Sequence, residues 1–421
     1  MTQAPRRIRV LILNQAFWPD TVATAQHADD LARYLRIHND EVTVVASRAL
    51  YGARGAVLPK REVREGISIY RVGLQLFGKR GIVARVLDFA LFYIAALWQC
   101  FILPRHDVVI CLTTPPFIVL VGVLLKWFKG TRVVYWTMDL YPEVAVAAGI
   151  MKRSGLLWKF LCWLERLCLQ QSDHVVVLGN CMRKKVIQKG AVPDRVSVIC
   201  VWSGAENFID RPREDNPLRK DWGIGDRFTI LYLGNFGLGH DMEAIARAVE
   251  ILKDNDGIRW LFIGGGKAKK YLEDRIRKCG ARNVYVDAAQ AREKLAAVLD
   301  VGDVHLVTLL PGWEGLIVPS KFFSVLASGR PALWVGPKQS ECVTILNENK
   351  CGYQSEAGDG ESLAREIEYL ASHREEARDM GIRAKHAYQS RYSSEHSCMA
   401  WRKVLHTIVQ HNLISPTPIK P

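Results

Sequence analysis

Short runs rich in Val and Ile alternate with helix-patterned stretches along almost the whole chain, and this rhythm constrains the fold more than any other feature. In the first half the runs are RVLILN (9–14), EVTVVAS (41–47), ISIYRV (67–72), DVVICL (107–112), RVVYWT (132–137), HVVVLG (174–179) and VSVICV (196–201). Helix candidates such as AQHADDLARYLR (25–36) sit between most of them. Strands that are apolar throughout, rather than alternating, are buried on both faces, so the pattern predicts α/β architecture with a parallel, doubly wound sheet. The segment 204–227 breaks the rhythm with charge, Pro and Gly and reads as an interdomain linker. Beyond it the alternation restarts with FTILYLG (228–234), RWLFIGG (259–265), NVYVDA (283–288), VHLVTLL (304–310) and PALWVG (331–336), which predicts a second domain of the same kind. Ligands of open α/β sheets bind beyond the carboxyl ends of the strands, so the expected site is a cleft between the two domains.

Size agrees with this division, since 421 residues at roughly 150 per domain suggest two or three domains. The ten cysteines are scattered without a C-x-x-C pair, which points away from zinc and disulfide frameworks and towards a reducing, cytoplasmic setting. The N-terminal stretch MTQAPRRIRVLILNQ does not read as a signal peptide, because its apolar part runs straight into a strand.

Charge is one-sided. Residues 1–200 carry 27 Lys and Arg against 14 Asp and Glu, whereas the remainder is almost balanced at 30 against 29. Such a bias suits anionic lipid, a phosphorylated substrate or nucleic acid. Nucleic acid is disfavoured, because no zinc-finger spacing, RNP-like aromatic pattern or helix-turn-helix is evident. Phe89 to Pro104 is uncharged and rich in aromatics, with Lys79, Arg80 and Arg85 before it and Arg105 after it. Its 16 residues fall short of the ~20 needed to span a bilayer. Ser154 to Cys168 mixes Trp, Leu, Lys and Arg at helical spacing. Both stretches suit either a membrane interface or the core helices of an α/β domain.

The candidate chemistry lies in loops after strands. In PGWEGLIVPSKFFSVLAS (311–328), Ser320 is a good N-cap, Pro319 is tolerated near a helix start, and Lys321 falls in the first turn, where it opposes the helix dipole. Unpaired N–H groups there, with the lysine, make an anion site. In IGGGKAKK (263–270), Gly265 allows close backbone approach and Lys267 can reach a phosphate, although no G-K-[ST] follows. LGNFGLGHD (233–241) adds Gly234, Asn235, Gly237 and His240. Together these loops, with Gln290 after the strand at 283–288, describe a pocket for a nucleotide diphosphate. In the first half, the loop 14–27 carries Thr24 and His27, and YWTMDLYPEVAVAAG (135–149) carries Asp139 and Glu143. These carboxylates suit hydroxyl recognition and proton handling. Glu143 also suits the cap of the helix following Pro142.

DLARYLRIHNDEVTVVAS, MDLYPEVAVAAG, LYLGNFGLGHDMEAI and, above all, VPSKFFSVLASGRPAL resemble the GT-B glycosyltransferases, specifically the large retaining family four and its members in bacterial surface-polysaccharide biosynthesis. The resemblance spans nearly the whole chain. It implies two Rossmann-like doubly wound domains facing each other across a cleft: residues 1–203 binding acceptor and facing the membrane, a linker 204–227, residues 228–400 binding the nucleotide-sugar donor, and 401–421 as helix end and tail. A helix over roughly 374–410 is expected to cross back to the first domain. The resemblance also implies retaining, metal-independent transfer of a hexosyl or N-acetylhexosaminyl group, with no cofactor beyond the nucleotide-sugar co-substrate. UDP is the default nucleotide. The implied partners are a lipid-linked saccharide or polysaccharide acceptor, such as an O-antigen precursor, and the inner face of an anionic membrane. Ser320 and Lys321 correspond to the donor-phosphate contact, with Gly315 and Leu316 beside them. Asp139, Lys321 and Glu314 are the catalytic candidates.

Departures from the family pattern are equally specific. Met138 stands where a histidine is frequent, Ser324 where a glutamate is frequent, and Glu314 is spaced differently from the first glutamate of that pair. Asn235 and His240 replace a usual arginine and lysine. A catalytically silent, glycosyltransferase-like membrane partner and a GT-B sugar-nucleotide epimerase are the alternative readings.

Overall fold

The computed structural model describes residues 7–50, 57–73, 82–205, 208 and 215–410. Lys79 and Arg80 lie outside these residues, as do most positions of 206–214 and the tail from 411. The chain divides into two units. The first comprises Met1–Glu143, Lys152–Cys200 and the residues from Ser397 onwards; the second comprises Val144–Met151 and Val201–His396.

The first unit is built on an eight-stranded sheet in the order β3-β4-β2-β1-β5-β6-β7-β8. Its strands are β1 (Arg9–Leu13), β2 (Glu41–Ser47), β3 (Arg61–Arg64), β4 (Ile67–Val72), β5 (Val108–Cys111), β6 (Arg132–Thr137), β7 (His174–Val177) and β8 (Val196–Val198). All neighbours pair in parallel except β3, which returns antiparallel along β4. Its helices are α1 (Ala23–Ile37), α2 (Ile82–Ile102), α3 (Val119–Lys129), α4 (Glu143–Ala147), α5 (Gly155–Gln171) and α6 (Asn180–Gln188); all of α4 after Glu143 groups with the second unit. The apolar runs behave as their composition requires, every residue of β5 being buried. The sequence reading passes over β3, because its REVR carries no apolar period and its residues stay exposed or half-buried at the sheet edge.

The second unit has a six-stranded parallel sheet, β11-β10-β9-β12-β13-β14. Its strands are β9 (Phe228–Leu233), β10 (Ile258–Ile263), β11 (Val284–Asp287), β12 (Val304–Thr308), β13 (Ala332–Val335) and β14 (Gly352–Ser355). The helices are α7 (Pro217–Asp221), α8 (Met242–Ile251), α9 (Lys269–Cys279), α10 (Leu295–Leu299), α11 (Lys321–Ser328), α12 (Glu341–Asn349), α13 (Gly360–Ser372) and α14 (Arg374–Ala387).

Two expectations need correction. The later part of the supposed linker is folded: Asn216 caps α7 through the Leu218 N–H, and buried Arg219 donates to the carbonyls of Val301, Gly225 and Arg227. The C-terminal helix is also not continuous over 374–410. It is broken after Tyr388–Tyr392 by Ser393, whose ψ of 160 is extended, and restarts as α15 (Ser394–Gln410). From Ser397 on, α15 belongs to the first unit, where Trp401 packs on Trp136 with ring centroids 4.6 Å apart.

Candidate functional site

In the second sheet the chain leaves β9 towards β10 on one side and reaches β12 on the other, so the order reverses between β9 and β12. That reversal opens the crevice in which open α/β sheets hold ligands. The loops after these two strands are tied together there, with the Leu310 N–H donating to Gly239 O at 2.8 Å and the Asp241 N–H to Thr308 Oγ1 at 2.6 Å. Asp241 then caps α8, accepting from the N–H groups of Glu243 and Ala244. The loop after β10 approaches just as closely. Gly264 has φ +143, and a Cβ there would lie 1.9 Å from Gly234 O. Only glycine lets these two backbones meet.

Lys321 is the charge at this crossing. Its half-buried side chain reaches back from α11, placing Nζ 3.4 Å from Asn235 O and 3.8 Å from the centre of the Tyr232 ring. A Cβ on Gly234 would lie 3.8 Å from the same Nζ. Among the described residues no carboxylate pairs with it, and burial pushes the ammonium down to about 7. His240 lies alongside, its ring edge-on to Tyr232 at 6.2 Å. Burial, and then the charge of Lys321, push its imidazole down to about 3, against a hydrogen bond with the Thr308 backbone, so it is neutral at pH 7. Its buried Nδ1 has no partner among the described residues. The ammonium thus has a carbonyl, an aromatic face and a neutral imidazole around it, a setting whose desolvation a bound anion would compensate.

The remaining predicted donor residues are placed unevenly. Asn235 and Gly237 belong to the β9 loop, where Asn235 is exposed. Gly265 is exposed at the turn between β10 and α9, with open space where a Cβ would stand. Lys267 is exposed beside it, while Lys269, which the sequence reading passed over, turns inward to bond the carbonyls of Gly264 and Asp287 at 2.8 and 2.5 Å. Gln290 donates to Asp287 Oδ2 at 3.2 Å. Gly315, with φ +69, and Leu316 are buried in the loop before α11. The carboxylate of Glu314 accepts from the Gly312 N–H at 2.7 Å and so shapes its own loop.

Ser320 does not cap α11. Its backbone is already helical (φ −58, ψ −28) and its hydroxyl makes no cap bond. The Phe322 and Phe323 N–H groups bond back to Pro319 and Ser320 carbonyls, so the helix start presents fewer open N–H groups than expected. Anion attraction there rests chiefly on Lys321. Ser324 faces Ser203, whose hydroxyl donates to it at 3.2 Å.

In the first unit, Asp139 lies two residues beyond β6, half-buried, and burial pushes its carboxyl up to about 6. Glu143 opens α4 and pairs with Lys189 at 2.6 Å. Thr24 is half-buried in the first turn of α1, and His27, one turn further, is buried within the helix rather than at its start. Missed by the sequence reading is Glu165 on α5. It is fully buried, both carboxylate oxygens lack a hydrogen-bond partner among the described residues, and burial pushes its pKa up to about 8. A glutamate amid LLWKFLCWLERLC gives no signal of burial at all. Also missed is Thr113, after β5. Thr113, Asn14 and Gln15, the last two after β1, each leave a buried oxygen without a partner among the described residues where the first sheet reverses direction. The predicted residues do not gather around the cavity of about 680 Å3 in this unit, which is lined by Arg132, His174, Arg195, Lys403 and Ile408 among others. Among the described residues there is no group of His, Cys, Asp and Glu that could hold a metal ion.

Comparison with known proteins accounts for both halves. Residues 23–202 match the glycosyl transferase 4-like domain and residues 214–387 the glycosyl transferases group 1 domain. The probable glycosyltransferase WbjE of Pseudomonas aeruginosa is 31% identical over 274 residues, a match spanning 63% of this chain and 66% of that protein. The putative colanic acid biosynthesis glycosyl transferase WcaI of Escherichia coli is 23% identical over 337 residues, covering 77% of this chain and 83% of the relative. Among solved structures, Anabaena Alr3699/HepE in complex with UDP and glucose superposes with a TM-score of 0.68 at 14% identity, covering 95% of this chain and 99% of its own, a likeness of fold. With two parallel-sheet α/β units and a family match over each, the chain belongs to the GT-B glycosyltransferases, a 4-like domain followed by a group 1 domain.

Proposed function

We propose that this protein is a retaining, metal-independent glycosyltransferase that moves a hexosyl or N-acetylhexosaminyl group from a UDP-sugar to a hydroxyl of a lipid-linked saccharide in surface-polysaccharide biosynthesis. The observation that carries this reading is the Lys321 ammonium, held without a carboxylate among the described residues where the loops after β9 and β12 meet. The similarity to WcaI, a putative colanic acid biosynthesis glycosyl transferase, supports the pathway, and the UDP and glucose of the HepE complex support the donor. The donor diphosphate would lie over Gly234, Gly237 and Gly265. Lys321 and the neutral His240 would take the negative charge that builds as the anomeric C–O bond to phosphate breaks. The acceptor oxygen attacks the same face, and its proton passes to the departing phosphate oxygen, so no protein nucleophile is required. Asp139, whose burial favours the neutral form near pH 6, would orient the acceptor hydroxyl. The acceptor lipid would be met at the inner face of an anionic membrane, to which the protein attaches peripherally. One feature favours a catalytically silent partner protein instead: Ser324 stands in place of the frequent glutamate and is already bonded to Ser203.

Calorimetric titration with UDP, GDP and ADP, in wild type and Lys321→Ala, tests the reading. One diphosphate binds the wild type, and the variant loses ~1.5–3 kcal/mol, or roughly 10- to 150-fold. Because the free ammonium titrates near 7, binding at pH 8 takes up a proton, so the heat changes with the ionisation enthalpy of the buffer. A wild type that binds none of the three overturns the donor site.

A further inference from the structure

We propose that the outer faces of α2, α3 and α5 form one surface that lies in the interfacial layer of an anionic bilayer. The inference locates the membrane contact named above and rests on no part of the transfer chemistry. On α2, Leu87, Leu91, Ile94, Trp98 and Ile102 follow one another at intervals of four, three, four and four residues, and all are exposed, Trp98 to 71%. Phe92, Ala96, Cys100 and Leu103 on the opposite side are buried, and α2 packs on β2 and β4. The helix is therefore held against the sheet, and its apolar stripe of roughly 22 Å faces outward. No helix among the described residues is long and apolar enough to cross a membrane, so this stripe lies along a surface.

The stripe continues across two neighbours. Helix α3 packs against both α2 and α5. Its end presents Trp127 and Phe128, the latter 72% exposed with its ring 5.9 Å from that of Phe101 on α2. Lys129 fixes this junction by donating to the carbonyls of Cys100, Phe101 and Leu103 at the end of α2. On α5, Leu156, Leu157, Phe160 and Trp163 are exposed, Leu156 to 85%.

Charge selects the occupant. Lys152, Arg153, Lys159 and Arg166 are exposed along and beside α5. The three helices contain two acidic residues, Asp88 and Glu165, and both are buried. Outward-facing Trp and Leu among cations, with no exposed carboxylate, match the boundary between acyl chains and anionic headgroups. A second copy of this chain would set cation against cation.

Co-sedimentation of the full chain with vesicles tests this. Wild type binds phosphatidylcholine vesicles that contain phosphatidylglycerol, and binds pure phosphatidylcholine weakly. Lys152→Gln with Lys159→Gln lowers binding to the anionic vesicles roughly 30-fold, while Ile94→Ser with Trp98→Ser lowers binding to both kinds. Nucleoside diphosphate titration of each variant, read in parallel, reports separately on the donor site and on folding. Failure of the wild type to bind anionic vesicles, or binding by both variants at the wild-type level, overturns the proposal. So does wild-type self-association in sedimentation that the Ile94/Trp98 variant abolishes, since the face would then belong to a second copy.

Discussion

Two desolvated ionisable groups are handled differently. Lys321 is desolvated beside a carbonyl and an aromatic ring, whereas Glu165 is desolvated with no hydrogen-bond partner among the described residues and only partial compensation from the Lys189 charge. Glu165 keeps its proton in the folded protein to about pH 8 and loses it above the ordinary 4.5 in the unfolded chain. Between these values the native state holds the extra proton, so stability falls as pH climbs through that window and levels off above it. Glu165→Gln should remove this dependence. Urea midpoints of the variant and wild type should nearly coincide at pH 5, with the variant ahead by on the order of 3 kcal/mol at pH 8.5. Equal midpoints at the higher pH would mean that Glu165 is ionised and stabilised in the native state.

At the scale of elements, the crevice proposed for the donor depends on backbone approach between the turns after β9 and β10. Gly264→Ala would place a Cβ 1.9 Å from Gly234 O at φ +143, whereas Gly265→Ala meets nothing within 4 Å. The first substitution should cost on the order of 3 kcal/mol, read as a lower denaturation midpoint, and abolish nucleoside diphosphate binding. The second should leave stability unchanged. Sequence alone made the glycine run visible but not the difference between its members, because that difference is the position of a carbonyl about thirty residues away.

At the scale of the molecule, the first unit is closed by the last helix. Asp40 is completely buried; burial alone would raise its pKa, but bonds from His406, Arg402 and the Ile8 N–H outweigh it and hold the carboxyl below its usual range. Two of these partners lie more than 360 residues further along the chain. Arg402→Ala should lower unfolding stability by on the order of 2 kcal/mol at neutral pH. The difference should shrink as pH falls through the carboxylate range, because protonated Asp40 no longer needs the cation. Thermal unfolding of variant and wild type across that range measures it, and a gap that does not narrow in acid would assign the cost to lost packing.

The sequence by itself determined the two α/β units, every strand but β3 and β14, and the loops that hold Lys321, His240 and Asp139. Each of these follows from local composition, namely apolar runs of strand length and glycines and polar groups at their ends. Tertiary structure decided what each side chain meets: that Ser320 leaves its helix uncapped, that Glu143 pairs with Lys189, that Glu165 is buried without a hydrogen-bond partner among the described residues, and that α2 turns Trp98 outward. These outcomes depend on contacts between residues far apart in the chain, and burial, which shifts their charges, exists only once the helices are laid on the sheets.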